Sequence, residues 1–162
     1  MKKIDTKIII KIIGITLIVM WMITVFIFSN EKATESKVTS RKVTIAIVQA
    51  ILGKDISDNE ELLKNTDKIV RKLAHYTLYT VGGVLIISFA YTMDKTKKEK
   101  ILYSLAFGVC FVITDEVHQL FVPGRTGRLL DVGIDTLGIM TGILIFLIIK
   151  KMIGAVKNRI QE

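Results

Sequence analysis

Charged and polar side chains gather between two apolar runs, in "TDEVHQLFVPGRTGRLLDVGIDTLG" at residues 114–138. This stretch holds four acids, two arginines and a histidine, which are the residue types that grip polar head groups or move protons. An ionisable residue at the centre of a membrane helix costs roughly 2.5–3.5 kcal/mol on insertion scales. We therefore expect these groups to pair with one another and to serve a function.

Helical spacing predicts that these groups meet other polar side chains in one outward-facing cleft. Positions three and four apart lie on one helix face, and three apolar runs carry such polar stripes at the same end. The cleft is predicted to contain Arg71, His75, Tyr79, Asp115, Glu116, His118, Gln119, Arg125, Arg128, Asp131 and Asp135. Of these, His118 is expected at the periphery, and Arg128 is expected to anchor a lipid head group or to belong to the turn.

Two short patterns indicate how the helices that carry the cleft meet. Gly138 and Gly142 form a GxxxG pair, which allows another helix backbone to come close. Pro123 and Gly124 in "VPGRTG" predict a tight reversal, which would hold Arg125 over the cleft.

Four apolar runs predict an all-α integral membrane four-helix bundle. A bilayer core takes about 20 residues of helix, and mean hydropathy is +0.49. The predicted spans are residues 8–28, 73–91, 101–121 and 132–149, within one domain of residues 1–162. The first run exceeds the roughly 7–15 apolar residues of a signal peptide, and no small-x-small site follows it, which favours a retained anchor.

The segment between the first two spans, residues 29–70, predicts short interfacial helices. Residues 41–53 are apolar on most sides, as in a helix that lies at a membrane surface. Ser57 followed by Glu60 is a capping-box pattern, which predicts the start of a second short helix.

The distribution of charge predicts a multi-pass cell-membrane protein with both termini in the cytoplasm. Basic residues are dense in the N-terminus (Lys2, Lys3), in residues 94–100 and in the tail after residue 149, and dense short basic segments stay inside. Residues 29–70 and the turn at residues 122–130 then face outside.

Several function classes lack a signal. The net charge of +8 lies at span ends, where it meets lipid head groups, so no nucleic-acid partner is predicted. No HxxxH, HExxH, CxxC, phosphate loop or dinucleotide fingerprint is present, and no serine suits a catalytic triad. The sequence therefore predicts no metal and no cofactor.

Three motifs resemble the signature of the VanZ-like membrane proteins. They are "RKLAHYTLY", "DEVHQLFVPGRTG" and "LLDVGIDTLGIMTG", against a family pattern of R-K-x-x-H-x-x-x-Y, E-x-x-Q-x-F-x-x-x-R-x-G and D-x-x-x-N-x-x-G-x-x-x-G. The matching positions are Arg71, Lys72, His75, Tyr79, Glu116, Gln119, Phe121, Arg125, Gly127, Asp131, Gly138 and Gly142. Asp135 stands where the family has Asn, and after the first span Phe28 and Ser29 match while Glu31 replaces Gln.

The resemblance implies a bacterial membrane protein of the cell envelope, with a role in resistance to teicoplanin-type glycopeptides. As a binding protein it would hold a lipid, a lipid-linked wall precursor or a lipoglycopeptide. Arg71 and Arg125 would then bind phosphate or carboxylate, and Glu116 and Gln119 would accept hydrogen bonds.

Two other functions remain open on the sequence. In an intramembrane enzyme acting on an envelope lipid or glycan, Glu116 would be the general base, His75 the acid or orienting group, and Arg125 the stabiliser of negative charge. A proton-coupled transporter would need more helices than four, which a homo-oligomer could supply. Asp131 and Asp135 also fit a purely structural role at a helix start, where carboxylates favour the dipole.

Overall fold

The chain folds into long α-helices, as seen in a computed structural model that describes residues 6–30, 33–125 and 127–161. The helices in these ranges are α1 (Thr6–Ser29), α2 (Ala33–Leu52), α3 (Glu60–Ala90), α4 (Lys97–Gln119) and α5 (Leu129–Gln161). Four of them, α1, α3, α4 and α5, are long and apolar enough to cross a membrane. The all-α four-helix bundle predicted from the sequence is confirmed. Lys2, Lys3 and Glu31 lie outside the described residues.

The closest helix packing joins α3 to α5. A Cβ atom placed on Gly142 would lie 2.1 Å from the carbonyl oxygen of Thr80, and one on Gly138 would lie 2.6 Å from that of Tyr76. Gly83 of α3 makes the reciprocal contact, since a Cβ there would lie 2.3 Å from the Ile139 carbonyl oxygen of α5. The GxxxG pair therefore brings two backbones into contact, as its spacing predicts.

An aromatic cluster attaches α1 to the rest of the bundle. The indole of Trp21 packs onto Gly82, and its Nε1–H donates a hydrogen bond to the Leu78 carbonyl oxygen at 2.9 Å. The same ring lies 4.8 Å from Phe111 and 5.9 Å from Tyr79, measured between centroids. These contacts bury the large side chains of three helices at mid-bundle.

The outer surface of the bundle is apolar. Ile113 and Val117 of α4 are exposed, as expected for its lipid-facing side, and Phe121 is 81% exposed. Ile12, Ile23 and other branched side chains of α1 are exposed as well. Exposed apolar area on this scale marks a surface that meets lipid.

The segment that follows α1 forms a helical hairpin with the start of α3. Its first arm, α2, is longer than the predicted interfacial helix at residues 41–53. Its second arm is the start of α3, so the separate short helix expected there is wrong. Asn59, not Ser57, is the N-cap, because its side chain accepts from the Leu62 N–H at 3.0 Å.

The reversal between α4 and α5 has the predicted chemistry. The Arg125 N–H donates to the Val122 carbonyl oxygen at 3.1 Å, with Pro123 and Gly124 between them. Gly124 has φ of 77°, the left-handed value that the third residue of a type II turn needs, and proline favours the second position. This turn places Arg125 beside the end of α4.

Candidate functional site

The predicted polar side chains lie at one end of the bundle, which we call the polar end: the C-termini of α1 and α4, the start of α5, and residues 67–79 of α3. Asp115 lies at its centre and is fully buried. Its Oδ2 atom accepts hydrogen bonds from the Tyr79 hydroxyl at 2.9 Å and from Gln119 Nε2 at 3.0 Å. Tyr79 is also fully buried, so its hydroxyl orients Asp115 from the interior of the bundle.

Arg125 connects this group to α1. Its Nη1 atom donates to Gln119 Oε1 at 3.4 Å, and its Nη2 atom donates to the Phe28 carbonyl oxygen at 2.8 Å. A helix C-terminus has carbonyl groups without intrahelical partners, and a guanidinium is well suited to bind one. One hydrogen-bonded chain thus joins Tyr79, Asp115, Gln119, Arg125 and the end of α1.

Glu116 fixes the start of α5. Its Oε1 atom accepts the backbone N–H of Arg128 at 2.6 Å, immediately before the first residue of that helix. Gly127 passes close by, since a Cβ there would lie 3.1 Å from the Glu116 carbonyl oxygen. Glu116 is a buried residue, 7% exposed, so its hydrogen bond to the backbone lies in the interior of the polar end.

A second group of ionisable side chains lies between α3 and α5. His75 Nδ1 is 3.9 Å from Asp135 Oδ2, with the imidazole partly exposed and Asp135 buried. One helical turn nearer the end, Lys72 Nζ is 3.4 Å from Asp131 Oδ1. Asp131 and Asp135 therefore face α3, as their stripe predicts, and each has a basic partner there.

Arg71 is turned away from this group toward the hairpin. Its Nε atom is 3.4 Å from Asp67 Oδ2 on the same helix. Asp67 is buried, and its Oδ1 atom also accepts from the hydroxyls of Ser40 and Thr44 on α2. Arg71 thus serves a joint between α2 and α3, and no ion pair links it to another carboxylate among the described residues.

Two buried polar atoms at this end have no hydrogen-bond partner in the described part of the chain. They are Asp115 Oδ1 and Ser29 Oγ, on residues that are both 0% exposed. Buried polar atoms are nearly always satisfied, and leaving one unsatisfied costs roughly 1–3 kcal/mol. The site therefore has room in its hydrogen bonding for a donor that the described residues do not supply.

Sequence reasoning missed two parts of this end. Asp67 lies four residues before Arg71 and eight before His75, so the helical spacing already placed it on the stripe. The Phe28 carbonyl carries no side-chain signal, although the resemblance had drawn attention to Phe28 and Ser29. His118 lies outside the cluster, with its ring 5.4 Å from that of Phe26.

The side chains of the cluster are hydrogen-bond acceptors and cations. Among residues 6–30, 33–125 and 127–161, no group of three or more His, Cys, Asp or Glu side chains is placed to hold a metal ion. What the cluster offers instead is hydrogen-bond acceptors on Asp115, Glu116 and Asp135, with cations at Lys72 and Arg125 around them.

The fold and the site together define an all-helical integral membrane protein with a polar cluster at one end of its bundle. A family model described as VanZ/LLP1 matches residues 14–150. The chain belongs to this family, which confirms the resemblance seen in its three motifs. Searches of curated proteins and of solved structures found no match.

Proposed function

We propose that the polar cluster binds the head group of an amphiphile at the outer face of a bacterial cell membrane. The ligand would be a lipid, a lipid-linked wall precursor or a lipoglycopeptide, and binding would contribute to teicoplanin-type resistance. The observation that carries this proposal is Asp115 Oδ1, a buried acceptor with no hydrogen-bond partner among the described residues. Tyr79 and Gln119 hold the same carboxyl group through its other oxygen, Oδ2.

The unpartnered acceptor supports a ligand that carries a hydrogen-bond donor. An oxygen without a donor is satisfied by a hydroxyl, amide or ammonium group, which sugars, peptides and aminated head groups all carry. Arg71 and Arg125 are already engaged by Asp67, Gln119 and Phe28, so a phosphate would compete with groups of the chain. We therefore expect donor groups of the head, more than its anionic groups, to govern recognition.

The decisive test uses Glu116→Gln, which keeps an acceptor for the Arg128 N–H and removes the charge. The matched control is Glu61→Gln, the same change at an exposed position of α3. Lipids that copurify with each protein in mild detergent are identified by mass spectrometry. We expect one amphiphile to be depleted in Glu116→Gln and retained in the control, and identical lipid profiles would reject the binding site.

The resistance role has its own measurement. Teicoplanin susceptibility is compared in a susceptible bacterial host that expresses the wild type, Glu116→Gln or Glu61→Gln at equal membrane levels. We expect the wild type and the control to raise the inhibitory concentration and Glu116→Gln to lose most of that increase. Equal protection by all three proteins would show that resistance does not depend on the polar cluster.

The alternative of an intramembrane enzyme is favoured by one observation, the His75–Asp135 pair. A partly exposed imidazole backed by a buried carboxylate at 3.9 Å is an arrangement that orients a general acid or base. Its substrate would be an envelope lipid or glycan, with Glu116 as base and Arg125 as the stabiliser of developing negative charge. New lipid or precursor species that appear with the wild type and vanish in His75→Gln would establish this reaction.

We further propose that both termini lie in the cytoplasm, which places the polar end outside. The support is the excess of lysine at the opposite end of α3, α4 and α5. In a Cys110→Ala background, a cysteine at Arg128 should react with an impermeant thiol reagent in intact cells. A cysteine at Lys98 should react only after lysis, and the reverse pattern would invert the orientation.

A further inference from the structure

Two lysines converge on one tyrosine at the end opposite the polar end. Tyr91 follows the last turn of α3, and its ring centroid is 4.9 Å from Lys100 Nζ of α4 and 4.5 Å from Lys150 Nζ of α5. Each ammonium gains a cation–π attraction. The two ammonium groups nevertheless approach the same ring, so their like charges repel each other.

The described residues supply little negative charge to balance them. Neither Lys100 nor Lys150 forms an ion pair within the described residues, and the nearby Glu99 is engaged by Lys95 at 3.9 Å and by the Thr96 cap. Other basic side chains add to the local field. They are Lys97, Lys98 and Lys151, with the exposed Asp94 as an opposing charge. This surface therefore attracts an anion.

An apolar groove begins at the same place. It is a shallow, open depression on one face of α5, lined by Phe146, Ile149, Lys150, Ile153 and Gly154. The centroid of the Phe146 ring lies 5.2 Å from that of Tyr91. Space is open beside Gly154, where an added Cβ would meet nothing within 4 Å. Lys150 belongs to both features, so an anionic group and an apolar chain of one molecule would be held side by side.

We propose that this surface is a binding site for one anionic glycerophospholipid. Its phosphate lies between Lys100 and Lys150, and one acyl chain lies along the α5 groove. The chemistry fits because a phosphate supplies the charge that the lysine pair lacks, and the groove continues the exposed apolar surface of the bundle. This site is independent of the polar cluster and of the function proposed for it.

The test compares two charge-matched double variants in the full-length protein. Lys100→Gln with Lys150→Gln removes the pair at Tyr91, whereas Lys98→Gln with Lys151→Gln removes two exposed lysines at the same end. Each protein is placed in nanodiscs of phosphatidylglycerol and phosphatidylcholine, and the lipids retained on release are counted by native mass spectrometry. We expect the first variant to lose about ten-fold in its preference for phosphatidylglycerol, and the second to lose less than about two-fold.

An equal loss of the phosphatidylglycerol preference in both double variants would mean a diffuse electrostatic attraction and would overturn the site. An unchanged preference in the Lys100→Gln, Lys150→Gln variant would overturn it as well. A third variant, Gly154→Leu, fills the groove and leaves every charge in place. It should reduce retention of phosphatidylglycerol with long acyl chains, and excess inorganic phosphate should not displace the lipid from the wild type. Displacement by phosphate, or full retention in Gly154→Leu, would mean an anion site without an acyl-chain groove and would overturn the lipid proposal.

Discussion

Two buried aspartates near the polar end, Asp67 and Asp115, are surrounded in different ways. Both oxygens of Asp67 are occupied, one by the hydroxyls of Ser40 and Thr44 and the other by Arg71. Asp115 receives two neutral donors on Oδ2, while its Oδ1 has no partner in the described residues. The two carboxyl groups are almost equally buried, so burial alone does not distinguish them.

The difference separates a structural joint from a site. A carboxyl group whose lone pairs are filled by its own chain, including a cation, has its desolvation offset and holds two elements together. A carboxyl group that is rigidly held yet left with a free oxygen keeps an unmet cost, which a ligand or an ordered water can relieve. Asp67 therefore belongs to the α2–α3 joint, and Asp115 is the group to which we assign ligand recognition in our proposal.

The largest effect on stability is expected from Asp67→Ala. The change removes the acceptor shared by two α2 hydroxyls and leaves Arg71 without its carboxylate, which should lower the free energy of unfolding by about 2–3 kcal/mol. Thermal unfolding in detergent measures the loss, and hydrogen exchange should rise in α2 more than in α5. Asp58→Ala, at an exposed loop position, is the control. Copurifying amphiphile should remain, and its loss from Asp67→Ala protein that is still folded would contradict the separation of joint and site.

A smaller effect is expected from Tyr79→Phe. It deletes one of the two donors to Asp115 Oδ2 and keeps the buried ring and its contacts with Trp21, which should cost about 1 kcal/mol. Because the hydroxyl orients Asp115 without reaching the surface, binding should weaken through a less rigid acceptor. Tyr103→Phe, on the exposed side of α4, should change neither the melting temperature nor the copurifying lipid. A Tyr79→Phe protein with wild-type stability and binding would show that Asp115 needs no orienting group.

The sequence predicts the helices better than it predicts these partnerships. Continuous apolar runs and a four-residue polar spacing depend on local geometry, so the spans, the GxxxG contact and the stripe through His75 follow directly. Whether Arg71 pairs with Asp67 depends on where α2 packs, because the face of α3 that carries both residues can also contact α5. The Phe28 carbonyl is a backbone acceptor. Every residue has one, so the sequence does not indicate which carbonyl binds Arg125. The expected cap at Ser57 failed since Asn59 offers an equivalent side-chain acceptor closer to the helix.

The smallest effect on the fold is expected from Asp115→Asn. The amide oxygen of asparagine can accept both the Tyr79 and Gln119 hydrogen bonds, and the change removes a group that has no cation paired directly to it in the described residues. We expect the free energy of unfolding to change by less than about 1 kcal/mol in either direction. The unpartnered oxygen, however, is replaced by an NH₂ group, which turns an acceptor into a donor.

Because Asp115→Asn turns an acceptor into a donor, it tests ligand binding with little change in stability, whereas Asp67→Ala tests stability. A ligand that donates to Oδ1 would meet another donor, so the copurifying amphiphile should be depleted in a protein that melts like the wild type. Asp94→Asn, an exposed aspartate near the opposite end, controls for the loss of charge. If an ordered water fills the position instead, it can turn and accept from the new amide, and the lipid profile would stay unchanged. That outcome would make Asp115 a second structural joint and would leave His75 and Asp135 as the part of the polar end that faces a ligand.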